Sequence, residues 1–151
     1  MKKIIAIALL LAGALALASC ANQNSKTVFA DMFELSQKML TADETLPIMM
    51  TVSSDEDNAE QKFKKHCDFD YSKVKSYFWS YEETGMPYEI AVIELKNESD
   101  SEALANSLKS HAKAIGADEN KTEITSKGNY TALIICDQKD KVKEAFDKYV
   151  K

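Results

Sequence analysis

Tyr88-Glu89-Ile90-Ala91-Val92-Ile93-Glu94-Leu95 is apolar in both phases of a two-residue repeat. A strand written this way has no face it can leave in water, so it belongs at the centre of a sheet covered on both sides. The stretch before it, residues 73–83, alternates Val74, Ser76, Phe78 and Ser80 against Tyr77, Trp79 and Tyr81, the period of a strand with two unlike faces. Thr84-Gly85-Met86-Pro87 supplies the turn between them, and the two strands form a hairpin.

Downstream, Asn97 to Ser99 opens an amphipathic helix in which Leu104, Leu108, His111, Ala112 and Ile115 share a stripe, and Gly116 ends it. A second hairpin follows. Residues 121–126 form its more polar strand, Lys127-Gly128-Asn129 its turn, and Tyr130 to Cys136 a strand apolar on both sides. The last helix spans about Lys139 to Val150 and turns Val142, Ala145, Phe146 and Tyr149 inward.

The two halves therefore read as one strand-strand-helix unit used twice. The expected fold class is α+β, a four-stranded antiparallel sheet of order 1-2-4-3 with the polar strands at its edges. Both carboxy-terminal helices are expected on one face. The other face needs a cover too, and a helix over residues 28–42, with Val28, Phe29, Met32, Phe33, Ser36, Met39 and Leu40 on one stripe and Thr27 as cap, is expected to supply it. The methionine-rich segment Leu46-Pro47-Ile48-Met49-Met50 is expected to fill core gaps. Ser53-Ser54-Asp55-Glu56-Asp57 reads as the start of a short helix ending near Lys65.

At the amino terminus, Met1-Lys2-Lys3 precedes a charge-free apolar core from Ile4 to Ala18 and then Leu17-Ala18-Ser19-Cys20. The core is shorter than the roughly 20 residues a spanning helix needs, so it reads as a signal and not as an anchor. Small residues before a cysteine form a lipobox: the Cys20 thiol takes a diacylglycerol as a thioether, and cleavage before Cys20 then leaves a lipidated residue at the new terminus. Residues 1–19 are expected to be a lipoprotein signal peptide, residues 20–26 the lipidated cysteine and a short polar tether, and residues 27–151 a single domain. The expected location is the extracytoplasmic face of the cell membrane, held there by lipid on Cys20. Six tether residues reach about 20 Å, which keeps the domain near the bilayer.

Charge narrows the partners. The chain carries 19 basic residues, all lysine, against 24 Asp and Glu, and removing Lys2 and Lys3 makes it more acidic still. Without arginine forks or a basic excess, nucleic acid is excluded as a partner class. An unidentified protein or cell-wall component near the membrane is the expected partner.

The strand run from Glu89 to Lys96 followed by Asp100 and Glu102, then Lys127-Gly128-Asn129-Tyr130 with Leu133-Ile134-Ile135 and the late Ala145-Phe146, resembles the domain-of-unknown-function 4358 family. These are small lipoproteins of Gram-positive bacteria. The resemblance covers roughly residues 28–150 and implies no activity.

No Gly-x-Ser-x-Gly elbow, His-Glu-x-x-His pair or glycine-rich phosphate loop occurs in the sequence. We therefore expect a binding or scaffolding module with no catalytic residues, no cofactor and no metal; the alternative is a cell-surface enzyme whose site uses His66 or His111. Asp55, Asp57 and Glu60 lack the ligand spacing of a calcium loop, and adjacent His66-Cys67 is poor spacing for zinc shared with His111 and Cys136. Cys67 and Cys136 could be bridged, worth about 4 kcal/mol in the chain-entropy model, or be two buried thiols. The row Tyr77, Trp79 and Tyr81 is the candidate binding surface, the competing reading being core packed beneath the first helix.

Overall fold

The computed structural model describes residues 31–150. The expected signal peptide, Cys20, the expected tether, Thr27, Val28 and Phe29 lie outside the described residues. In chain order the elements are α1 (Met32–Leu40), β1 (Met50–Ser53), α2 (Ala59–His66), β2 (Val74–Tyr81), β3 (Glu89–Leu95), α3 (Ser101–Ala114), β4 (Thr122–Lys127), β5 (Tyr130–Ile135) and α4 (Lys139–Tyr149).

The sheet is antiparallel and five-stranded, in the order β1-β2-β3-β5-β4. This corrects the four-stranded expectation. The order expected for the two hairpins is contained in it, but Met50 to Ser53 adds against β2, so β2 is an interior strand and β1 takes the edge. Four residues are too few for a two-residue period to stand out from an apolar, methionine-rich run. The strand exists because it pairs with β2, which lies some thirty residues further along the chain.

The placement of the helices is a second correction. Trp79, Ala91, Leu133 and Ile124 line up across one face, where Phe63 of α2 and Leu104, Leu108 and Ala112 of α3 pack on them. Phe78, Val92 and Ala132 align on the other, under Leu35 and Met39 of α1 and Val142 and Phe146 of α4. The carboxy-terminal helices thus lie on opposite faces, and the sheet is the middle of three layers. Helix α3 must return the chain so that β4 runs parallel to β3, which holds it to one side as a crossover. The apolar stripe of α4 joins α1 on the other face.

All seven residues of β3 and all six of β5 are buried, as their two-sided apolar character requires. Asp31 caps α1, its carboxylate accepting from Phe33 N at 2.7 Å; α1 buries Leu35, Ser36 and Met39 but leaves Phe33 65% exposed. Gly116 takes φ +73°, and with Ala117 N donating to Ala112 O at 3.0 Å it ends α3 as expected.

Helix α2 sends one side chain fully into the core. Phe63 is its only fully buried residue, with ring centroids 5.4 Å from Tyr71, 5.2 Å from Tyr77 and 6.3 Å from Trp79. Phe63→Ala is expected to cost about 3–5 kcal/mol, read as a lower urea midpoint followed by the fluorescence of Trp79, the one tryptophan in the chain.

Candidate functional site

Where α2 ends and α3 passes over the sheet, five polar and aromatic side chains meet. Tyr81 and Glu89 are register partners on β2 and β3, and Trp79 is the diagonal neighbour of Glu89 on the same face. Trp79 Nε1 donates to Glu89 Oε2 at 3.0 Å. His111 Nε2 lies 2.7 Å from the same oxygen, and the two side chains are only 12% and 10% exposed. His66, the last residue of α2, stacks on Trp79 at 5.1 Å with the rings 21° apart, and lies 5.0 Å from the ring of Tyr81 and 6.4 Å from that of His111.

Glu89 was not recognised as a site residue from the sequence. Its signal was available: a carboxylate within an apolar central strand must find buried donors, and its inward phase is that of Trp79 and Tyr81. What could not be read was which donors, because His111 comes from α3. The other acid of β3, Glu94, faces the opposite way and is satisfied by Lys75 at 2.8 Å and Ser76 at 2.7 Å. Burial, the largest influence, pushes its pKa up, but the hydrogen bonds from Lys75, Ser76 and Tyr130 together hold it below the ordinary value.

Of the proposed aromatic row, Tyr77 and Trp79 have no exposed surface, and Tyr77 Oη donates to Ala59 O at 2.8 Å. They are core residues, packed under α2 and α3 and not beneath α1. Only Tyr81 keeps partial exposure. The sheet also separates the two cysteines: Cys67 belongs to the core layer under α2 and α3, Cys136 to the layer under α1 and α4. Both are free and buried, and burial pushes each thiol up to about 11. That separation removes both the disulfide and a zinc site shared by the two sulfurs. Among the described residues no group of three or more His, Cys, Asp and Glu is arranged to hold a metal, and no helix is long and apolar enough to cross a membrane.

Above the cluster an open groove of about 520 Å³ runs between α2 and α3, lined by Lys65, His66, Asn106, Ser107, Ser110 and His111 among others. Glu89 lies beneath it, engaged by Trp79 and His111. No family model, curated protein or solved structure matches the chain.

His66 is half-buried, and desolvation holds its pKa below the usual imidazole value; the His111 and Lys65 charges push the same way, while Glu89 opposes them. As pH falls through about 6.5, the unfolded chain takes up a proton on His66 that the folded chain resists, so stability should decline. His66→Gln should flatten that decline, seen by comparing urea midpoints of both chains from pH 8 to 5.5. Glu89→Ala leaves the buried Trp79 N–H without an acceptor, at a cost of about 1–3 kcal/mol measurable in the same titration.

Proposed function

We propose that this chain is a lipid-tethered extracytoplasmic module that binds or scaffolds a protein or wall component close to the membrane, without catalysing a reaction. The observation that carries the reading is the commitment of Glu89. Trp79 Nε1 and His111 Nε2 both engage a single oxygen of Glu89, which makes it a brace between β2, β3 and α3. The thiols, raised to about 11, are held as neutral core groups with little nucleophilic character near neutral pH.

The tether supplies the rest of the argument. Leu17-Ala18-Ser19-Cys20 carries the lipidation chemistry, and the resemblance to the domain-of-unknown-function 4358 lipoproteins points the same way. An acidic surface does not adhere to anionic lipid, so acyl chains on Cys20 would provide the membrane affinity.

A second reading, a surface enzyme, draws on one feature: two imidazoles 6.4 Å apart beside an open groove. It meets an obstacle in the His111–Glu89 pair, since the carboxylate engages Nε2, the His111 nitrogen farther from the backbone.

Cys20→Ala should move the protein from the membrane fraction to the soluble extracytoplasmic fraction while Trp79 fluorescence stays native. A Cys20→Ala chain that stays lipidated and membrane-bound would defeat the tether. Photocrosslinking residues placed at Tyr81, Ser110 and Met50 in intact cells should yield discrete adducts with the membrane-bound chain. Absence of adducts from all three positions would count against a binding module.

A further inference from the structure

The two edges of the sheet are built differently. Strand β4 carries Glu123 and Lys127, charges of the kind that keep an edge from pairing with another chain. Strand β1, Met50-Thr51-Val52-Ser53, has neither charge nor proline. Around it lie three exposed apolar side chains, Ile48 at 99%, Phe33 at 65% and Met50 at 50%.

The hydrogen-bond phase of β1 shows which backbone groups are open. Ser54 N donates to Tyr77 O at 3.0 Å, so Val52 and Met50, in the same phase, direct their backbone groups to β2, while Ser53 and Thr51 direct theirs outward. Ser53 is already closed: its N–H donates to Glu56 Oε1 at 2.8 Å and its carbonyl accepts from Glu56 N at 3.3 Å. Thr51 has no such closure among the described residues. Beside it, between α1 and β1, lies a groove of about 230 Å³ with Met32, Phe33 and Phe78 as apolar lining and Asp55 and Glu56 as its acidic part. Glu56 is paired with Lys62 at 2.5 Å. Asp55 makes no ion pair among the described residues.

We propose that β1 is a docking edge: an extended, lysine-bearing apolar segment of another protein adds to it as a sixth strand. Backbone bonds form at Thr51, alternate apolar side chains enter the Phe33 groove, and a lysine meets Asp55. The proposal assigns a partner chemistry to the binding module of the preceding section and rests on that reading. A second copy of this chain fits less well, because a chain of net charge −5 would bring its own acidic surface to Asp55.

The test uses the full chain in zwitterionic detergent micelles, with empty micelles as blank, and a capped hexapeptide alternating threonine and valine in which lysine replaces the last valine, so that the valines and the lysine share one face. Binding should protect the Thr51 amide from hydrogen exchange. The same peptide with glutamate in place of its lysine, or the lysine peptide N-methylated on the bonding edge, should bind at least about tenfold more weakly. Thr51→Pro, which removes only an outward N–H from the backbone ladder, should weaken the probe by a similar factor. That variant also takes a hydroxyl from Ser80, 2.7 Å away, so Met50→Lys, at an exposed position, provides an independent loss. The proposal is overturned if the wild-type chain fails to bind the probe, if N-methylation or both variants leave binding unchanged, or if the chain instead dimerises through β1. In cells, adducts at Tyr81 or Ser110 without any at Met50 would remove β1 and leave the module standing; adducts at none would remove both.

Discussion

The rest of the structure depends on β3 having no face for water. Its seven residues are buried throughout, so the sheet needs a complete layer on each side, and with α2 and α3 on one face and α1 and α4 on the other the chain supplies two helices per layer. Each helix contributes a narrow stripe: Phe63 alone from α2, Val142 and Phe146 from α4. Burial of a large side chain is worth about 1.5–3 kcal/mol relative to exposure, so no layer could be lost without exposing one side of the central strands.

The same constraint explains the cluster at Glu89. A carboxylate in a central strand can remain only if donors reach it under the helix layer. Trp79 and His111 do so from one side each, and His66 then closes over Trp79 by stacking. The arrangement ties β2, β3, α2 and α3 together at the floor of a groove and places the partly exposed Tyr81 and His66 at its surface.

Much of this was legible in residue order. The two-sided apolar strands Glu89 to Leu95 and Tyr130 to Ile135, the stripe Leu104, Leu108 and Ala112, and the stop at Gly116 follow from local periodicity and local φ. Tyr77 and Trp79 alternate as an exposed row would, and only the packing of Phe63 on both shows that they are core. Phe33 makes the opposite case, lying on an apolar stripe in sequence and in solvent in the structure.

By itself the sequence determined the acidic balance, the α+β class and two of the sheet's hairpins, because each depends on residues adjacent in the chain or one helical turn apart. Tertiary structure decided that Met50 to Ser53 is a strand, that α3 and α4 take opposite faces, that Cys67 and Cys136 stand on different sides of the sheet, and that Glu89 serves Trp79 and His111. Those outcomes rest on pairings between segments distant in sequence. Their free energy comes from complementary surfaces and unsatisfied donors meeting in space, which local composition does not encode.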